Sequence, residues 1–275
     1  MSLLQTRDAT GILTREILNK VPEITITFWI IKILATTVGE TAADFLNVTL
    51  GLGLSVTSYV MAAVFLVSLL IQISYRKYVP WAYWLTVVLI SVVGTLVSDT
   101  LVDKYGVSLQ TTTIAFSIAL VGTFILWYRS ENTLSIHSIH TRKRELFYWA
   151  AILFTFALGT AAGDLAAERL HLGYGPAALM FAGAIALVTL CYYAFRANAI
   201  VAFWIAYILT RPLGASCGDL LAQPVANGGL GLGRTLTSAI FLAAILCLVL
   251  CLTFRERWRN SRAPRYTHAS ESGEA

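Results

Sequence analysis

Trp29 is followed ten residues later by Gly39 and five after that by Asp44, all within one apolar run. The same Trp-x9-Gly-x4-Asp spacing returns as Trp84, Gly94 and Asp99, as Trp149, Gly159 and Asp164, and as Trp204, Gly214 and Asp219. Four matches in one register identify an internal repeat, in which each unit is a supersecondary element that buries its apolar face only by packing on its neighbours. Trp29 to Trp149 and Trp84 to Trp204 are both 120 residues, so the units also pair at longer range.

Each acid is followed by a glycine-bearing turn and a second apolar run. The turns hold Gly51 and Gly53, Gly106, Gly173 and Gly175, then Gly231 and Gly233. "GLGLSVTS" from residue 51 matches "GLGLGRTLTS" from residue 229. The pattern predicts eight helices, over about 24–46, 53–74, 81–102, 108–128, 146–168, 175–195, 200–222 and 232–254. Runs of about 20 apolar residues are long enough to span a bilayer. The chain is 57% hydrophobic and 13% charged, with a mean hydropathy of +0.71. A soluble domain carries about 25% charged residues.

The expected fold class is therefore all-α, a polytopic membrane protein of eight transmembrane helices in four two-helix repeats. A single transmembrane domain covers 24–254, with units at about 24–74, 81–128, 146–195 and 200–254. Residues 1–23 read as a polar N-terminal segment without the apolar core of a removable signal peptide. Residues 255–275 read as a basic, disordered tail. Cys191, Cys217, Cys247 and Cys251 all fall in apolar segments, where cysteine serves as a small packing residue. The four histidines fall in loops or the tail. The net charge of +5 is a loop asymmetry and no nucleic-acid footprint.

That asymmetry sets an orientation. Fifteen of the 20 Lys and Arg residues flank one side, in the N-terminal segment, the loops after the second, fourth and sixth helices, and the tail. Lys104, Arg169 and Arg234 flank the other side, and Lys32 and Arg211 lie inside spans. Both termini are expected in the cytoplasm. With an even number of helices per unit, all four motif helices run outward and the repeats are parallel. The four aspartates then share one depth, about 22 Å beyond tryptophans that suit the cytoplasmic interface, with the glycines about 15 Å beyond.

Acids at such depth are costly and point to a task. Four of the six aspartates of the chain hold the repeated position, and Glu40 is the one glutamate deep in a span. Lys32, Thr36, Glu40 and Asp44 are spaced by four and form a polar stripe. Ser91, Thr95 and Asp99 repeat it, Thr160 stands one turn before Asp164, and Arg211 stands two turns before Asp219. The stripes are expected to face the bundle interior, with Lys32 and Arg211 as charge partners of the acids. Ionised, five acids against two bases leave −3, to be relieved by protons or a bound cation. Gly39, Gly94, Gly159 and Gly214 are expected to allow close approach or a helix break. Pro212 in Arg211-Pro212-Leu213-Gly214 marks the strongest candidate for a discontinuous helix.

"FWIIKILATTVGETAADFLN", "YWLTVVLISVVGTLVSDTL", "FYWAAILFTFALGTAAGDL", "AFWIAYILTRPLGASCGDLL" and the central "LSIHSI" resemble the bacterial membrane-anchored proteins built from four tandem two-helix repeats, a repeat of unknown function. The resemblance covers Lys20 to about Leu252. It implies the topology and the bacterial inner membrane, and carries no activity. A looser similarity is to cation/proton exchangers with Glu-x-Gly-Asp motifs. Here Glu40 is followed by Thr-Ala-Ala-Asp, and the other units have no glutamate at that position.

The functional expectation is a proton-coupled secondary transporter of a cation, with the lipid bilayer, the cation and protons as its partners. The expected site is Glu40, Asp44, Asp99, Asp164 and Asp219 with Thr36, Thr95 and Thr160. Glu40 and Asp44 are the expected metal pair. Oxygen ligands favour hard ions such as Mg²⁺, Mn²⁺ or Ca²⁺. No resident cofactor and no enzymatic activity are expected: there is no nucleotide-binding motif, no Ser/His pair and no histidine cluster. The alternative is a non-transporting membrane scaffold or interaction protein whose buried polar residues are structural.

Overall fold

The structure is a computed structural model describing residues 19–262, without the side chains of Arg257 and of residues 259–262. Residues 1–18 of the expected N-terminal segment and 263–275 of the expected tail lie outside the described residues. Eight long helices account for the fold. They are α1 (Ile26–Asp44), α2 (Leu54–Ser74), α3 (Pro80–Asp99), α4 (Leu109–Glu131), α5 (Arg142–Asp164), α6 (Tyr174–Phe195), α7 (Ala199–Ala222) and α8 (Arg234–Arg262). All eight are long and apolar enough to cross a membrane. No strand occurs among the described residues.

Local chemistry starts these helices. Side-chain caps come from Thr25, Ser108, Thr141 and Asn198, each accepting from a backbone N–H of the first turn. Pro80 opens α3 at its first position, where a missing N–H costs nothing. α2 and α6 begin after Gly53 and Gly173, whose φ values of 75° and 79° suit a residue without Cβ. α1, α3 and α5 end at the motif aspartates, and each runs into a five-residue π-helical turn: Phe45–Thr49, Thr100–Lys104 and Leu165–Arg169. α8 continues through Arg262, so the first residues of the expected disordered tail are helical.

The helices form an inner square and an outer ring. In the most apolar 18-residue stretches, 56–61% of the residues of α1, α3, α5 and α7 are buried, against 11–22% for α2, α4, α6 and α8. Along the square α1 packs on α3, α3 on α5, α5 on α7 and α7 back on α1. Each outer helix packs chiefly on the motif helix of the next unit: α2 on α3, α4 on α5, α6 on α7, and α8 on α1. Buried hydroxyl pairs pin two of these contacts, Ser68 to Thr86 and Ser238 to Thr41, both 2.8 Å. The outer faces present Leu70, Ile118, Leu187 and Leu246 to the surroundings, as helices facing hydrocarbon must.

The motif glycines are contact points within continuous helices: of the two expected roles, close approach holds and the helix break does not. A Cβ on Gly39 would strike Ser91, on Gly94 Phe156, on Gly159 Arg211, and on Gly214 Thr36. Each glycine thus receives the residue seven positions after the tryptophan of the next unit, and the fourth returns to the first. α7 likewise runs unbroken through Pro212. The proline ring fits because Gly159 leaves room, with Pro212 Cδ 3.0 Å from where a Gly159 Cβ would sit.

Of the four motif tryptophans, Trp84, Trp149 and Trp204 are buried and Trp29 is partly exposed. The aromatic residue before each tryptophan packs against the tryptophan of the next unit: Phe28 on Trp84, Tyr83 on Trp149, Tyr148 on Trp204 and Phe203 on Trp29, with ring centroids 5.6–6.2 Å apart. This closed belt packs the motif indoles against their neighbours at one end of the square.

Candidate functional site

With the units aligned on their tryptophans, a spacing of four carries one helix face along the axis of the square. Successive layers lie about 6 Å apart. One position before the tryptophan stand Phe28, Tyr83, Tyr148 and Phe203; three after it, Lys32, Val87, Ile152 and Tyr207. Seven after it stand Thr36, Ser91, Phe156 and Arg211; eleven after it, Glu40, Thr95, Thr160 and Ala215; fifteen after it, the four aspartates. The interior passes from aromatic to cationic to acidic. The fourfold pattern is broken at the charged positions Lys32, Glu40 and Arg211.

Arg211 and Glu40 break it together. Arg211 is fully buried and its Nη2 donates to Glu40 Oε2 at 2.9 Å. The same nitrogen donates to Thr160 Oγ1 at 2.7 Å and to Thr95 Oγ1, while Nη1 donates to the Thr36 carbonyl at 3.1 Å. One guanidinium therefore holds a group from every other unit. Thr95 Oγ1 is in turn 3.4 Å from Glu40 Oε2. The expected counterparts Thr36, Thr95, Thr160, Glu40 and Arg211 are brought to one place. Arg211 Nε is buried without a hydrogen-bond partner among the described residues, and an orphaned buried donor costs about 1–3 kcal/mol.

Lys32 is fully buried but meets no acid, contrary to its expected pairing. Its Nζ has no hydrogen-bond partner among the described residues and lies over the rings of Phe156 and Tyr207, at 4.3 and 4.2 Å from their centroids. Ring faces carry negative quadrupole density, so they are the substitute acceptor. Phe156 also faces the Arg211 guanidinium, with Cζ 5.6 Å from its centroid. One ring is shared by two cations.

The carboxylates divide. Glu40, Asp164 and Asp219 offer oxygens that all lie within 4.8 Å of one another. Asp44, expected to pair with Glu40 as a metal site, is instead held by Arg234 Nε at 2.7 Å. The reason is reach: Arg234 opens α8, which packs on α1, and its long side chain covers the end of that helix. Asp99 makes no ion pair among the described residues and lies within electrostatic reach of Glu40, Asp44 and Asp103. Asp219 is buried, whereas Asp44, Asp99 and Asp164 are partly exposed, so the acidic layer lies at the partly exposed end of the square.

Counting Arg234, the five acids face three bases when all are ionised, an excess of two negative charges. Three convergent carboxylates are a ligand set for a hard cation, with Thr160 and Thr95 hydroxyls one layer below. Among the described residues it is the one group of three or more His, Cys, Asp or Glu with ligand atoms so close.

The opposite end is capped. The backbone of Lys20 donates to Ile139 O at 3.0 Å and that of Tyr78 to Asn19 O at 3.1 Å. Trp204 Nε1 donates to Leu134 O at 2.9 Å, and Ile136 and Ile139 of the "LSIHSI" stretch are buried. Trp84 Nε1 donates to the Tyr78 hydroxyl at 3.1 Å, and burial pushes that phenol above its ordinary value. Beneath the cap Lys20 Nζ meets Glu145 Oε2 at 2.6 Å, a buried pair that the sequence reading missed.

A family model described as Repeat of Unknown Function (DUF347) matches residues 27–78, 82–133, 147–198 and 202–257, one match per unit. No curated protein and no solved structure matches the chain.

Proposed function

The chain belongs to the family described as Repeat of Unknown Function (DUF347), and we propose that it is a secondary transporter, not an enzyme, that carries a hard divalent cation in exchange for, or together with, protons. The observation that carries this reading is the convergence of Glu40, Asp164 and Asp219 within 4.8 Å at the partly exposed end of the square. The charge count supports it. An interior excess of two negatives matches one divalent cation or two protons. Carboxylate and hydroxyl oxygens favour Mn²⁺, Mg²⁺ or Ca²⁺ over softer ions.

The proposed setting is the bacterial inner membrane with both termini cytoplasmic, following the Lys and Arg bias. The acidic layer then opens outward and the aromatic belt with its cap closes the cytoplasmic end. No resident cofactor is needed, because the metal is cargo. The competing reading is a scaffold, favoured by the way Arg211 ties all four units. Flux in liposomes separates the two: the parent protein moves a divalent cation under the first reading, and moves no ion under the second.

A further inference from the structure

Resting on the cation-carrier reading above, we propose that Arg211 is a tethered competitor for the transported cation. Its guanidinium occupies Glu40 while the carboxylate site is unloaded, and it withdraws when a divalent cation is held by Glu40, Asp164 and Asp219. The starting point is that Glu40 answers to two claims. Its Oε2 accepts from Arg211 Nη2 at 2.9 Å, and it is also one of the three convergent carboxylates. Two positive charges are not held independently by one carboxylate in a low-dielectric interior, so each weakens the other.

The hold on Arg211 is incomplete. Nε is buried with no hydrogen-bond partner among the described residues, whereas a purely structural buried arginine has its donors placed. Among the described residues Glu40 is its one charged partner, and the rest are the hydroxyls of Thr95 and Thr160 and the Thr36 carbonyl. The helix is pliable at this point. Pro212 follows directly and removes one backbone donor from the ladder of α7. Gly159 leaves the slot in which the first carbons of the Arg211 side chain lie. Withdrawal away from Glu40 leads toward the face of Phe156, already 5.6 Å from Cζ. Lys32 lies over the same ring at 4.3 Å. Its like charge limits the retreat and returns the guanidinium to Glu40 when the cation leaves.

The test is Mn²⁺ binding to the purified protein in detergent, by titration calorimetry, for the parent, Arg211→Gln, Glu40→Gln and Arg211→Lys. Arg211→Lys keeps the charge and leaves the Thr95 and Thr160 hydroxyls in place, but replaces the guanidinium fork by a shorter point charge. Competition predicts that it binds Mn²⁺ about fivefold tighter, that Arg211→Gln binds about tenfold tighter or more, and that Glu40→Gln loses binding. Where Arg211→Gln does not fold, Arg211→Lys decides alone. Unchanged or weaker binding in Arg211→Lys, with the parent still binding Mn²⁺, overturns the competition and leaves the carrier reading standing. A parent that binds no Mn²⁺ overturns both.

Discussion

Gly214 of the last unit receives Thr36 of the first, the same contact that Gly39 makes with Ser91 and Gly94 with Phe156. That contact turns a linear series of repeats into a closed square, and the closed square puts Arg211 beside Glu40, 171 residues apart in sequence.

A methyl group at the closure has nowhere to go. Gly214→Ala and Gly39→Ala are each expected to destabilise the protein by about 1–3 kcal/mol through overpacking. Gly183 of α6 meets nothing within 4 Å, so Gly183→Ala is expected to be neutral or slightly stabilising through helix propensity. Thermal melts in one detergent compare the three. Equal shifts would mean that the glycines do not mark the helix contacts.

Lys20 and Glu145 form a pair whose side chains are 6% and 1% exposed. Removing one partner leaves a buried charge, at about 3–5 kcal/mol. Lys20→Met and Glu145→Gln are each expected to lower the melting temperature strongly. The double variant should lose less than the sum of the two, which a double-mutant cycle measures. Strict additivity would show that the pair is not coupled.

Arg234 and Asp44 pair at 2.7 Å but are about a quarter exposed. Screening reduces such a pair to less than about 1 kcal/mol. Arg234→Gln should therefore melt close to the parent. It also leaves one more negative charge at the acidic end, so Mn²⁺ affinity should rise severalfold at low salt and converge on that of the parent at high salt. An unchanged affinity at low salt would separate Asp44 from the site.

Much of this architecture was legible because a bilayer admits few structures. Apolar runs of about 20 residues can only be helices there. The Trp-Gly-Asp register placed the four aspartates in one layer of the square, and spacing by four put Thr36, Glu40 and Asp44 on one face. The partner of each helix was not legible. The leucines and valines of α2 fit the motif helix of either neighbouring unit, and only the closed square selects the next one. The glycines read as close approach or a break, and Pro212 as a break, because composition cannot tell a gap that another side chain fills from a gap that bends the chain.

Some misses had a signal. Alignment of the units on their tryptophans sets Arg211 against Thr36, Ser91 and Phe156, and Glu40 against Thr95, Thr160 and Ala215. The complementary exceptions in adjacent units of a closed square are partners. The Phe-Trp, Tyr-Trp, Tyr-Trp, Phe-Trp series likewise announced an interlocked belt. Arg234 had none, since its position in a turn says nothing of how far its side chain reaches. Lys32 had none either, because aromatic faces from two other units replace the acid it was expected to meet.

The central claim is that Glu40, Asp164 and Asp219 hold a transported divalent cation, and Mn²⁺ flux into liposomes at two pH values tests it most directly. The parent should transport with a rate that changes with pH. Glu40→Gln, with shape kept and charge removed, should melt cooperatively but below the parent, because Arg211 loses its charged partner, and should lose flux or its pH response, and Asp164→Asn and Asp219→Asn should each reduce flux at least about tenfold. A folded Glu40→Gln variant with unchanged flux and pH response would contradict the account, as would a parent protein that moves none of Mn²⁺, Mg²⁺ or Ca²⁺.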